Sequence, residues 1–155
     1  MCSSDLIKDP IGTKGARLST QMSIAGRLLV YLPQESHIGI SQKIGDEAER
    51  TLLRERLIRL LPEGENGGFI IRTVAESASE RELQSDVEYL RRIWAATLDH
   101  AATAQPATLL YQELNLAHRV LRDFVHDDTG RIVVDSRETY QKVQGFAQDY
   151  IQNVA

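Results

Sequence analysis

The apolar positions change period along the chain. Ala16 to Thr20 alternates as a short strand, and Ser23 to Leu32 reads as a longer one stopped by Pro33. His37 to Ile40 is a third short apolar stretch. From Asp46 the period becomes helical: Leu53, Leu57, Leu60 and Leu61 recur, with Arg50, Arg54, Glu55 and Arg59 at polar positions. Asp46 and Glu49 stand in capping-box spacing at its start. Pro62 to Gly68 ends that helix, and Phe69-Ile70-Ile71 follows as a short buried strand running straight into Arg72-Thr73.

Ser79 and Glu82 form a second capping box, ahead of Leu83, Val87, Leu90, Trp94, Leu98 and Ala101 on one face of a helix over about 80–103. Thr108 to Tyr111 is a strand candidate, and Asn115 caps a helix carrying Leu116, Val120, Leu121 and Phe124. Asp127 to Gly130 is a turn, Arg131 to Asp135 a strand, and Arg137 to about Asn153 the last helix. Strand-helix-strand-helix order over 108–153 predicts a parallel α/β unit behind a mixed α+β one. The fold class expected is therefore α+β followed by a βαβα unit.

At 155 residues the chain suits one compact domain or two small pieces of a larger one. A hydrophobic fraction of 42% with 26% charged residues excludes a fully disordered or collagen-like chain. No apolar run reaches the length of a membrane span. Cys2 is the only cysteine, so an internal disulfide or multi-cysteine zinc site is excluded. Met1 to Asp5 does not open a signal peptide, and a cytoplasmic location is expected. Net charge is −4, which excludes a globally basic nucleic-acid binder but not a local basic site. Residues 1–33 carry four basic and two acidic groups, whereas 74–155 carry eight and thirteen, so positive charge is weighted toward the front.

Candidate chemistry is mostly non-catalytic. His37, His100, His118 and His126 share no metal-binding spacing, and no serine sits in a nucleophile elbow. Asp127-Asp128 reads as a solvated turn and Asp135 as a cap, since one carboxylate does not make a two-metal site. Gly12-Thr13-Lys14-Gly15 lacks the Walker A spacing. It is either a charged hairpin or a turn whose lysine meets a polynucleotide backbone. Lys14 and Arg17 would face apart in a strand and could converge in a loop. Arg72-Thr73 offers a planar fork of donors beside a hydroxyl, suited to phosphate oxygens; the competing reading is an ion pair of Arg72 with Glu76 or another acid.

The stretch Lys8-Asp9-Pro10-Ile11-Gly12-Thr13-Lys14-Gly15-Ala16-Arg17-Leu18-Ser19-Thr20 resembles the end of the S1 domain in the bacterial ribonuclease E/G family. Ser23 to Pro33, His37-Ile38-Gly39-Ile40-Ser41 and Gly68-Phe69-Ile70-Ile71-Arg72-Thr73 resemble successive pieces of its 5′-sensor region. Tyr111-Gln112-Glu113, Arg119 to Asp123 and Val133-Val134-Asp135-Ser136 resemble the returning part of its ribonuclease-H-like subdomain. The resemblance runs in order over about 7–155. It implies a non-native or disordered lead-in over 1–7, an S1 (OB-fold) terminus over 8–22, a 5′-sensor domain over 23–106 and a partial ribonuclease-H-like subdomain over 107–155.

The family cuts single-stranded RNA with Mg²⁺ and prefers a 5′-monophosphorylated end. By resemblance Arg72 and Thr73 grip that phosphate, Val30 contacts the terminal nucleotide, and Lys14 contacts RNA from the S1 side. Arg17 and Lys43 join it as RNA-binding residues, with Gln42 departing from the paired basic residues usual beside Lys43. The carboxylates of catalysis and the cysteines that share Zn²⁺ between protomers belong to a region beyond Ala155. The resemblance thus implies no catalytic residue and no cofactor within this chain, a bacterial cytoplasmic setting, and a homo-oligomeric parent whose remaining domains are its partners. A fragment of this kind is expected to bind 5′-monophosphorylated RNA weakly and to leave it uncut. The alternatives are a non-catalytic RNA-binding or regulatory module, and a structural piece without activity of its own.

Overall fold

Short apolar runs need partners for their backbone groups, and here they find them in two separate sheets. A computed structural model describes residues 5–125 and 128–150. Strand β1 (Asp5–Lys8) pairs antiparallel with β2 (Arg17–Ser19), with Leu6 opposite Leu18. Residues 5–7 of the lead-in expected over 1–7 take part in this ladder, whose register is irregular between Leu6 and Lys8. Between these strands Ile11 and Lys14 exchange backbone bonds of 3.0 Å each way, with Gly12 at φ 58°, a turn conformation that glycine adopts without strain.

The second sheet has four strands in the order β3-β4-β6-β5: β3 (Ile24–Ala25), β4 (Leu29–Leu32), β6 (Gly68–Ile71) and β5 (Ile38–Ile40). The long strand expected over 23–32 is a hairpin, folded back by a turn at 26–28. Strand β4 is antiparallel to β3 and β6, and β5 is parallel to β6. Alternation sends Leu29, Tyr31, Phe69 and Ile71 to a buried face, while Val30 and Ile70, paired with each other, lie half-buried on the opposite face. The Tyr31 and Phe69 rings meet at 4.9 Å on the buried side.

Helix α1 (Glu47–Leu60) supplies Leu53 and Leu57 to the core, and Asp46 caps it by accepting from the Ala48 N–H at 2.9 Å. A 3-10 helix, Thr73–Ser77, follows β6 directly and is tied down by Arg56, which donates to the Ala78 carbonyl at 3.1 Å. Helix α2 (Glu80–Thr103) starts at the expected capping box: the Ser79 N–H donates to Glu82 and the Glu82 N–H to the Ser79 hydroxyl. Its first turns bury Leu83, Asp86 and Val87.

The chain divides into two compact units, Met1–Val87 and Glu88–Ala155, with the division inside α2. In the second unit α3 (Leu116–Phe124) is capped by Asn115, which accepts from the His118 N–H at 3.0 Å, and α4 covers Arg137–Tyr150. The His118 ring stacks on Phe146 at 4.6 Å. Burial disfavours the Arg122 charge, yet the Asp123 carboxylate, at 2.7 and 3.0 Å, holds its pKa above the ordinary arginine value. The strands expected at 108–111 and 131–135 are not formed. Neither stretch has a partner strand among the described residues, and Leu109 and Val133 stand exposed. The turn expected at 127–130 and the end of the last helix lie partly outside the described residues. The observed class is a mixed α/β fold with several helices and a small sheet.

Gly68 tests the sheet register. A Cβ there would lie 2.6 Å from the His37 carbonyl oxygen, a backbone atom that cannot step aside. Gly68→Ala is expected to destabilise the chain by about 1–3 kcal/mol in thermal unfolding, whereas Gly45→Ala, with open space around it, should leave the midpoint unchanged.

Candidate functional site

The sheet topology gathers three loops at one end. The parallel pair β5 and β6 both finish there, and the antiparallel β4 begins there. The turn at 26–28, the turn at 41–44 and Arg72-Thr73 therefore share one edge. Backbone bonds stitch them together: the Arg72 N–H donates to the Leu28 carbonyl at 2.9 Å and the Ser41 N–H to the Ile71 carbonyl at 2.9 Å.

Arg72 is half-buried, and its Nη1 donates to the carbonyls of Gly26 at 2.6 Å and Arg27 at 3.1 Å. It makes no ion pair with Glu76 or any other described carboxylate. A guanidinium bound only to neutral carbonyls keeps its positive charge uncompensated by a local acid. Its Nε and Nη2 carry no hydrogen bond to the described residues. Two carbonyls fixing one nitrogen hold the plane of the fork, leaving the other donors for an anion. Thr73 is half-buried, and its hydroxyl has no partner among the described residues. By strand alternation Val30, Ile70 and Arg72 lie on the same side of the sheet, the side opposite the core.

The remaining predicted residues fall in two places. Lys43 is exposed on the 41–44 turn, at the same sheet edge, with its N–H donating to Ser41 Oγ at 3.4 Å. That turn is held from below by Arg50, whose Nη1 donates to the Ser41 and Ile44 carbonyls at 3.0 Å each. Lys14 and Arg17 are exposed on the β1–β2 hairpin, which shares no strand ladder with the larger sheet. The structure thus brings Arg72, Thr73, Val30 and Lys43 to one region and places Lys14 and Arg17 on another element.

The sequence reading missed the residue that shapes the 26–29 turn. Asp86 of α2, only 7% exposed, accepts from three main-chain N–H groups: Arg27 at 3.0 Å, Leu28 at 2.9 Å and Leu29 at 2.8 Å. Arg27 adds an ion pair to Glu82 at 3.4 Å. Gly26 is required for this approach, since a Cβ would sit 2.5 Å from an Asp86 oxygen. An acid interrupting the apolar stripe between Leu83 and Val87 was the available signal. Among the described residues no group of three His, Cys, Asp or Glu side chains could hold a metal ion, and no helix is long and apolar enough to cross a membrane.

A model of the Ribonuclease E/G family matches residues 23–155. The chain belongs to that family. It is 48% identical over 148 residues to Ribonuclease G of Escherichia coli K12, covering 94% of this chain and 29% of the relative. Ribonuclease G of Haemophilus influenzae is 39% identical over 146 residues, with the same coverage. Ribonuclease E of Nostoc is 34% identical over 145 residues, covering 94% of this chain and 21% of the relative. This ribonuclease E/G chain therefore spans under a third of the length of these relatives, and the sheet edge around Arg72 lies inside the matched region.

The support under the 41–44 turn is open to test. In Arg50→Met two backbone carbonyls lose their donor, and thermal unfolding should show a loss of roughly 1–3 kcal/mol.

Proposed function

We propose that this chain recognises the 5′-terminal monophosphate of single-stranded RNA on behalf of an endoribonuclease whose hydrolytic step is carried by other segments. The reading rests on one observation above all: Arg72 is locked by two backbone carbonyls and has no acidic partner among the described residues, with the Thr73 hydroxyl next to it. In this assignment 8–22 is the end of an S1 domain, 23–106 the 5′ sensor, and 107–155 the return of a ribonuclease-H-like subdomain.

A terminal monophosphate carries about −1.5 to −2 charge at neutral pH and presents three acceptor oxygens. An internal phosphodiester carries a single charge on two. A planar fork with a neighbouring hydroxyl matches the terminal group better on both counts. Charge alone would favour a triphosphate further, so its exclusion is steric. Val30, on the same side of the sheet as Arg72, offers an apolar contact for the first nucleotide. Lys43 adds positive potential at that edge. Lys14 and Arg17 follow the RNA backbone from the hairpin, where long-range charge rather than fixed geometry suffices.

Mg²⁺ serves the hydrolysis in this reading, and the described residues offer it no acidic cluster. No step of cleavage is assigned to them. The mechanism of this chain is one of binding: the sensor holds one end of the substrate, and the parent's homo-oligomeric assembly and remaining domains position the scissile bond, in the bacterial cytoplasm.

Two outcomes check this. Arg72→Gln should cut the affinity for 5′-monophosphorylated RNA by about 10- to 100-fold, the worth of a hydrogen bond to a charged group, and leave 5′-hydroxyl RNA unaffected; Thr73→Val should act the same way more mildly. Equal losses on both RNAs would instead mark a generic backbone contact. The paired change Lys14→Gln and Arg17→Gln should weaken both RNAs alike and flatten the dependence of log affinity on log salt by about one to two units.

A further inference from the structure

The geometry points to Asp86 as a positioning residue for the Arg72 clamp: it sets the turn whose carbonyls fix the guanidinium, and so governs the discrimination between phosphorylated and unphosphorylated ends. This inference rests on the function proposed above.

The chain of contacts is short. Both Asp86 oxygens are used on the turn, Oδ1 by the Arg27 N–H and Oδ2 by those of Leu28 and Leu29. Peptide N–H and C=O groups point in opposing directions across each bond. Drawing the N–H groups of residues 27 and 28 toward α2 therefore turns the carbonyls of residues 26 and 27 the other way. Those two carbonyls are the ones that receive Arg72 Nη1. The carboxylate and the guanidinium thus grip the same two peptide planes from opposite sides, without a bond between them.

A second constraint comes from Gly26. The space its Cβ would fill is occupied by the Asp86 carboxylate, with both oxygens and the carbon within 3 Å. The turn can approach the acid only because the side chain is missing there. The acid itself is buried at the start of a helix anchored by the Ser79–Glu82 capping box, so the turn is held by a rigid element. A neutral amide cannot replace it. In Asp86→Asn one oxygen becomes a donor and confronts a main-chain N–H, which releases part of the turn.

The test uses one single-stranded RNA made with a 5′-monophosphate and with a 5′-hydroxyl, titrated against the 155-residue chain. The wild type, Asp86→Asn, Arg72→Gln and the double variant are compared, each checked for a cooperative thermal transition. Asp86→Asn is expected to lower the monophosphate preference about tenfold, the upper worth of one net hydrogen bond, and to change hydroxyl-RNA affinity less than twofold. The double variant should lose no more preference than Arg72→Gln alone, because Asp86 acts through Arg72. Gly26→Ala, which displaces the same carboxylate from the other side, should reproduce the loss and serves if Asp86→Asn does not fold. Hydrogen exchange of the wild-type chain should show the amides of Arg27, Leu28 and Leu29 protected. Retained preference in Asp86→Asn, equal losses on both RNAs, additive losses in the double variant, or unprotected amides would each overturn the positioning role while leaving the end-recognition reading in place. A wild type without any preference would overturn both.

Discussion

One buried carboxylate sets the geometry on which the candidate site depends. Asp86 is almost removed from water, and a charge in that position requires compensation by hydrogen bonds. It finds three at 2.8–3.0 Å, all from consecutive main-chain N–H groups. This arrangement fixes the connection between β3 and β4 to helix α2. It also decides which way the carbonyls of Gly26 and Arg27 face. The Arg72 guanidinium, with no acid among the described residues to hold it, takes its place from those carbonyls.

The topology explains why unrelated loops meet there. A parallel pair of strands ends on one side, and its antiparallel neighbour starts on that side. Helix α1 must cross between β5 and β6, so the 41–44 turn leaves the sheet at the place where β6 delivers Arg72. Arg50 then supports the turn through two carbonyls rather than through an ion pair alone. The same device appears at three points: Arg50, Arg56 and Arg72 each satisfy backbone oxygens at loop ends. Among these, Arg72 stands next to a half-buried hydroxyl and on the apolar side that carries Val30.

The local elements of the first unit were legible because their signals are local. The capping box at Ser79 and Glu82, the Asp46 cap and the helical spacing of Leu53 and Leu57 all require only neighbours in sequence. The strands over 38–40 and 68–71 were legible from apolar content. The hairpin inside 23–32 was not, because its turn is imposed by Asp86, about sixty residues away in sequence. The same separation hid the role of Gly26. In the second unit Asn115 was read correctly as a cap, while the runs 108–111 and 131–135 form no ladder. Their apolar residues match a strand, but strand formation also requires a partner with open N–H and C=O groups, and the described residues supply none. The strand Asp5–Lys8 carried no signal of its own in the sequence and is extended beside β2. Of the candidate site, Arg72 and Thr73 were singled out from their donor chemistry; the arrangement that holds them was not readable, because the Gly26 and Arg27 carbonyls and Asp86 lie far from Arg72 or from each other in sequence.

The account stands on the claim that Arg72 and Thr73 meet a chain-terminal phosphate directly. The most direct measurement is an NMR titration of the isotopically labelled chain with a short 5′-monophosphorylated RNA, following the Arg72 side-chain N–H signals and the Thr73 amide. Large shifts confined to residues 26–30, 41–44 and 72–73, absent with the 5′-hydroxyl RNA, are predicted. Identical shift patterns for the two RNAs, or shifts on the β1–β2 hairpin with the Arg72 signals unmoved, would contradict it.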